Sequence, residues 1–146
     1  MDVVWKEGSE LMQNVFVYGT LRAGEINDIG AAAARNDIAS PTLVGSATLR
    51  GRLFDFGAYP GLVPDAAGVH VRGDVYAIDD ELVAVLDEIE QVYPGIEGLF
   101  MPREVTVDVE GTPVTCRYYP VQRDAVKGLP EIRSGDWVEH RRSNGR

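Results

Sequence analysis

Residues 43–56 read as one long strand in which Val44, Ala47, Leu49, Leu53 and Phe54 are interrupted by Gly45 and Gly51. Glycines inside a strand mark bulges, bends or close approaches. Two of them in one long strand indicate a strongly coiled sheet, of the kind that can close on itself. The other elements fit around such a sheet. Val15 to Tyr18 is a short β-branched and aromatic run. From Val69 to Ile78 the pattern alternates, with Val69, Val71, Gly73, Val75 and Ala77 on one side. Glu104–Val109 and Val114–Val121 read as a hairpin around the turn Glu110–Pro113.

Two helices interleave with these strands. Ile29 to Arg35, rich in alanine, follows Asn27 or Asp28 as its cap and ends at Asn36–Asp37. A second begins at Asp79–Asp80, carries Leu82, Val85, Leu86 and Ile89 as an apolar stripe, and stops near Gln91–Val92. The order β, α, long bent β, β, α, β-hairpin lacks the strict alternation of a doubly wound sheet and gives an α+β class. Gly57–Gly61 and Pro64–Gly68 read as turns. Tyr59 within the first reads as a lid over the core in preference to a pocket wall. Residues 1–13 read as an N-terminal extension and 14–146 as one domain. In the tail, Trp137 docks the chain and Arg141–Arg142 form a solvated end.

The chain of 146 residues is long enough to bury a core without staples. Its net charge of −9 disfavours sequence-independent attraction to nucleic acid or an anionic membrane. No apolar run approaches the ~20 residues of a membrane span, and residues 1–14 carry Lys6, Glu7 and Glu10 without the apolar centre of a secretory signal. The single Cys116 fits a reducing compartment and, mid-strand, a small core residue. The expected location is the cytoplasm.

Two places remain for chemistry. The run Val15–Tyr18 breaks at Gly19–Thr20, where successive backbone N–H groups either converge on a small anion such as a carboxylate or simply make a turn. Glu90 lies i+4 from Leu86 and i+7 from Val83, at the margin of the apolar stripe and in the helix's last turn, where the dipole disfavours a carboxylate. Such placement raises a carboxyl pKa and is mostly tolerated at functional sites; the alternative is a side chain fanned out to solvent. His70 and His140 lack metal-ligand spacing with Cys116 or a carboxylate pair. No Gly-x-Ser-x-Gly elbow, Walker motif or dinucleotide glycine motif is present.

Tyr18-Gly19-Thr20-Leu21-Arg22, Gly51-Arg52-Leu53-Phe54, Tyr59-Pro60-Gly61-Leu62-Val63, Gly73-Asp74-Val75-Tyr76 and Leu86-Asp87-x-x-Glu90, in this order, resemble the gamma-glutamylcyclotransferase-like family. The match runs from about Val15 to Val121, and the Ser134–Trp137 tail is similar to that of its small bacterial members. The resemblance implies a small mixed-strand β-barrel flanked by helices, with a pocket at one end. It implies that the loop Tyr18, Gly19, Thr20, Leu21 holds the α-carboxylate and amine end of a γ-glutamyl group through backbone amides. It further implies that Glu90 is the general acid/base, that 5-oxoproline and a free amine or amino acid are the products, and that no cofactor is needed; with no ligand set evident in the sequence, no metal is expected either. Tyr119 matches a pocket-facing tyrosine of the family and is equally consistent with cross-strand packing.

Two positions depart from the family pattern. Phe100-Met101-Pro102-Arg103 stands where members often carry a Tyr two residues before an Arg, so one expected hydroxyl is missing; Tyr93 and Tyr119 are the nearby substitutes. Gln91 replaces the Gly that commonly follows the glutamate. Three functions are compatible: cyclisation of a small γ-glutamyl compound, removal of a γ-glutamyl protecting group in a biosynthetic pathway, and non-catalytic sensing of a carboxylate-bearing metabolite.

Overall fold

The computed structural model describes residues 12–22, 24–25, 28–91 and 100–143. Its elements are β1 (Met12–Val17), α1 (Ile29–Arg35), β2 (Thr42–Asp55), β3 (Pro60–Pro64), β4 (Val69–Asp79), α2 (Asp80–Gln91), β5 (Arg103–Val109), β6 (Thr112–Tyr118), a 3₁₀ turn (Arg123–Val126) and α3 (Trp137–Ser143). The strands form one six-stranded sheet in the order β3-β2-β4-β1-β6-β5. The β1–β6 pairing is parallel and the other four are antiparallel. β1 begins at Met12, paired with Asp79, so the first strand starts slightly before Asn14.

The sheet curls into the expected barrel-like shape because of β2. Its pairing with β4 shifts register between Leu43 and Gly45, and a bulge there increases the local bend and twist. A methyl group on Gly45 would lie 2.6 Å from Val109 Cγ1. β5, at one end of the sheet order, therefore packs over the β2 bulge, and only glycine permits that approach. Gly51 has a different part: it pairs with both Pro64 and Val69 with no break in register, so it is a close-contact position and not a bulge.

β3 is the strand that the turn-rich run 57–61 conceals. It carries proline at both ends, which suits a position at the edge of a sheet, where the missing N–H costs no ladder bond. α3 was likewise hidden in the charged tail.

Both faces of the sheet are covered. Alternation along β1 sends Val15 and Val17 toward the helices and Phe16 and Tyr18 into the barrel interior. The interior holds Leu53, Leu62, Val71, Val75, Val107, Cys116 and Trp137. On the other face Leu82, Val83 and Leu86 of α2 join Ile29 and Ala33 of α1. α1 starts where the Asp28 side chain accepts hydrogen bonds from the N–H groups of Gly30 and Ala31. In α2 the buried residues are Leu82, Val83, Leu86 and Glu90, while Val85 and Ile89 are half-buried. The buried stripe is thus turned toward Glu90, which lies inside it and not at its margin.

Candidate active site

Where β1 ends, the chain makes a tight turn in which Arg22 N–H donates to the Gly19 carbonyl at 3.0 Å. Thr20 and Leu21 at its apex are buried. The turn forms one wall of a pocket with about 300 Å³ of empty space, mouth included, lined also by Phe16, Val17, Tyr59, Pro60, Glu90, Phe100 and Tyr119. All six predicted site residues, Tyr18, Gly19, Thr20, Leu21, Glu90 and Tyr119, line this one pocket.

Glu90 is 7% exposed. Removing its carboxyl from water disfavours the ionised form, and the nearby Asp87 charge adds to this, so its pKa rises to about 8. A carboxyl at that level exchanges a proton with an amine at little free-energy difference.

Asp87, one turn earlier on α2, organises the rim. It accepts hydrogen bonds from the Tyr119 hydroxyl (2.6 Å) and from Arg117 Nε and Nη2 (3.2 and 2.8 Å). Burial and the Asp87 carboxylate push the Tyr119 phenol well above the usual tyrosine range. Tyr119 therefore presents its ring to the pocket with its hydroxyl already committed. Tyr18 likewise lines the pocket while its hydroxyl works elsewhere. It donates to the Tyr119 carbonyl at 2.7 Å and accepts from Leu62 N–H at 3.1 Å. That link ties the end of β1 to β3 and to the chain after β6.

Residues 15–139 match the family described as gamma-glutamyl cyclotransferase, AIG2-like. The chain belongs to this family. It is 34% identical over 127 residues to a Vibrio cholerae protein provisionally named a gamma-glutamylcyclotransferase, spanning 86% of this chain and 95% of that one. It is 33% identical over 139 residues to the gamma-L-glutamyl-butirosin B gamma-glutamyl cyclotransferase of Niallia circulans, covering 92% of this chain and 81% of the relative. Among solved structures, YkqA from Bacillus subtilis superposes with a TM-score of 0.67 at 25% identity, over 92% of this chain and 43% of that chain. A mouse AIG2-like protein gives the same TM-score of 0.67 at 24% identity, over 82% and 84% of the two chains, a likeness of fold.

In and around this pocket of a cyclotransferase-family chain, the structure corrects or extends three local sequence readings. Tyr59 is a wall and not a lid: it stacks on Phe56 at 5.2 Å and meets Phe100 edge-on at 5.7 Å. Phe100, the position lacking the usual hydroxyl, still supplies an apolar wall; Tyr93 lies outside the described residues. Arg141 is not a solvated end, since its Nε and Nη2 donate to Glu25 Oε1 and Oε2 at 2.8 and 2.7 Å. Among the described residues no group of three metal-ligating side chains occurs, and no helix is long and apolar enough to cross a membrane.

Proposed function

We propose that this protein cyclises the γ-glutamyl group of a small amide, releasing 5-oxoproline and the free amine. The observation that carries this reading is a buried carboxyl with a raised pKa, Glu90, in the same pocket as the Gly19–Leu21 turn, in a chain of the gamma-glutamyl cyclotransferase family.

The α-carboxylate of the substrate sits against backbone N–H groups of Gly19 to Leu21, which hold an anion without adding net charge. The substrate's α-amine, once neutral, attacks its own γ-carbonyl carbon. The new C–N bond closes a five-membered ring, and the original amide C–N bond breaks. Glu90, ionised before the step, takes the proton from the attacking nitrogen and returns it to the departing amine, so no water or redox partner is consumed. Because the reaction is intramolecular, holding the substrate folded supplies much of the acceleration. Phe16, Tyr59, Phe100 and Tyr119 surround this step with apolar and aromatic wall, strengthening the electrostatics inside. The work is done on a small γ-glutamyl molecule in the cytoplasm.

The gamma-L-glutamyl-butirosin B in the name of one relative supports including γ-glutamylated amines beside γ-glutamyl dipeptides as substrates. Release of 5-oxoproline from a panel of both tests the reading. Release from at least one compound is expected. No release from any, combined with retained binding of 5-oxoproline, would instead make the protein a metabolite-binding module.

A further inference from the structure

The C-terminal helix grips the pocket turn from behind, through a pair of charges separated by 116 residues in sequence. We propose that Arg141 is a positioning residue for the Gly19–Leu21 turn, acting through the buried carboxylate of Glu25. Its effect on catalysis rests on the function proposed above.

The turn is one link in a chain of short backbone bonds. Arg22 N–H donates to Gly19, Glu25 N–H to Arg22 and Asp28 N–H to Glu25, each at 3.0 Å, and Ile29 N–H returns to the Leu21 carbonyl at 3.0 Å. A displacement of Glu25 is therefore passed to Arg22 and on to Gly19. The Glu25 side chain is only 3% exposed and receives both prongs of the Arg141 guanidinium. A carboxylate that deeply placed is costly without such a partner.

Simple docking of α3 does not call for this pair. Trp137, 1% exposed, already anchors the helix in the barrel interior. What the pair adds is a fixed place for the loop. The pair lies directly behind the turn: Thr20 borders a second cavity, with about 500 Å³ of empty space including its mouth, shared with Gly24, Glu25, Ala58, Trp137 and Arg141. The other end of the loop is tied to the same C-terminal segment and to β4: Arg22 donates to Asp136 Oδ1 and to Asp74 Oδ2 of β4, each at 3.1 Å.

The test compares the parent chain with Arg141→Ala, Arg141→Lys and Glu25→Gln. Steady-state kinetics with the best γ-glutamyl substrate are measured beside amide hydrogen exchange resolved by NMR. For Arg141→Ala, KM should rise at least about tenfold, equivalent to about 1.4 kcal/mol of binding. Its kcat should stay within about threefold, the split expected when binding geometry is loosened and the chemical group is intact. Exchange at Thr20 to Arg22 should quicken while β4 stays protected, and Arg141→Lys should fall between alanine and parent. Parent-like KM and parent-like exchange in the turn would overturn the proposal. So would a uniform loss of protection across the molecule, which would mark Arg141 as a docking contact only. If Arg141→Ala does not fold, Arg141→Lys and Glu25→Gln decide by the same criteria. Should the parent act on no γ-glutamyl compound, the functional reading fails separately, and exchange in the turn still decides the role of Arg141.

Discussion

The Tyr119 hydroxyl donates to Asp87 Oδ1 at 2.6 Å, across from the helical turn that carries Glu90. Arg117 closes the arrangement by donating to both Asp87 oxygens and lying 5.9 Å from the centre of the Tyr119 ring. One carboxylate thus does two things. It fixes a pocket wall, and its charge, three residues before Glu90, helps to keep the Glu90 proton in place. Replacing it should separate the two effects.

Asp87→Asn should lower the Glu90 pKa, since it removes the repelling charge and leaves the Arg117 cation nearby. Burial is the larger cause of the raised value, so the pKa should stay above that of an ordinary glutamate. The rising limb of the pH profile of kcat/KM should move toward lower pH relative to the parent. A limb that stays put would show that Asp87 does not tune Glu90.

Tyr119→Phe keeps the ring and deletes a hydroxyl already given to Asp87. Substrate KM should change by less than about threefold, because the wall is retained and only a rim hydrogen bond to a carboxylate is lost, an effect of about 1.5–3 kcal/mol on stability. A tenfold or larger rise in KM, measured with the same substrate, would mean that this hydroxyl reaches the substrate directly.

Gly19 is a sharper probe of the turn than its sequence context suggests. A Cβ there would lie 2.7 Å from Pro60 Cγ and 3.0 Å from Cδ, so the added group meets the opposite pocket wall. Gly19→Val should displace Pro60 or the turn and abolish binding of 5-oxoproline in calorimetry, while circular dichroism still shows the folded sheet. Unchanged affinity in the folded variant would remove the turn from the site.

How much of this was legible in the sequence depended on the range of the interactions involved. Local patterns sufficed for the strand–turn at Tyr18–Leu21, for the helix from Asp80 and for the hairpin, read over Glu104–Val121 and found over Arg103–Tyr118, because period and turn chemistry act within a few residues. The family resemblance then brought Glu90 and Tyr119 to the same pocket. β3 was missed because prolines usually break strands, and only its place at the sheet edge makes them harmless. Tyr59 was misread because nothing beside it shows Phe100 opposite. The Glu25–Arg141 pair was invisible for the same reason: each residue alone looks like an ordinary surface charge, and only the fold brings them together.

The chelation experiment is brief. Among the described residues no cluster could hold a metal ion, and the proposed step moves one proton and exchanges one C–N bond for another. Turnover should therefore survive exhaustive dialysis against a strong chelator. Loss of activity restored by a single divalent ion would require a different chemistry in this pocket.

Glu90→Gln tests the chemistry and the electrostatics together. Glutamine keeps the shape of the side chain but cannot take a proton from an amine near neutral pH. Turnover should fall by about 10²–10⁴-fold, the usual cost of losing acid/base catalysis, with a much smaller change in binding of 5-oxoproline. Stability should move the other way. The folded protein raises the Glu90 pKa to about 8, whereas an unperturbed glutamate has 4.5. Between those values the native state binds more protons than the unfolded chain, so the parent loses stability as pH rises through that window and levels off above it. The full penalty is on the order of 3–5 kcal/mol by linkage. Glutamine does not ionise and escapes it. The urea midpoints of variant and parent should therefore nearly coincide at pH 4, diverge in the variant's favour up to pH 8, and run parallel beyond. A variant with parental turnover would end the catalytic assignment. A midpoint difference that does not depend on pH would show that Glu90 ionises in the folded protein much as it does in water.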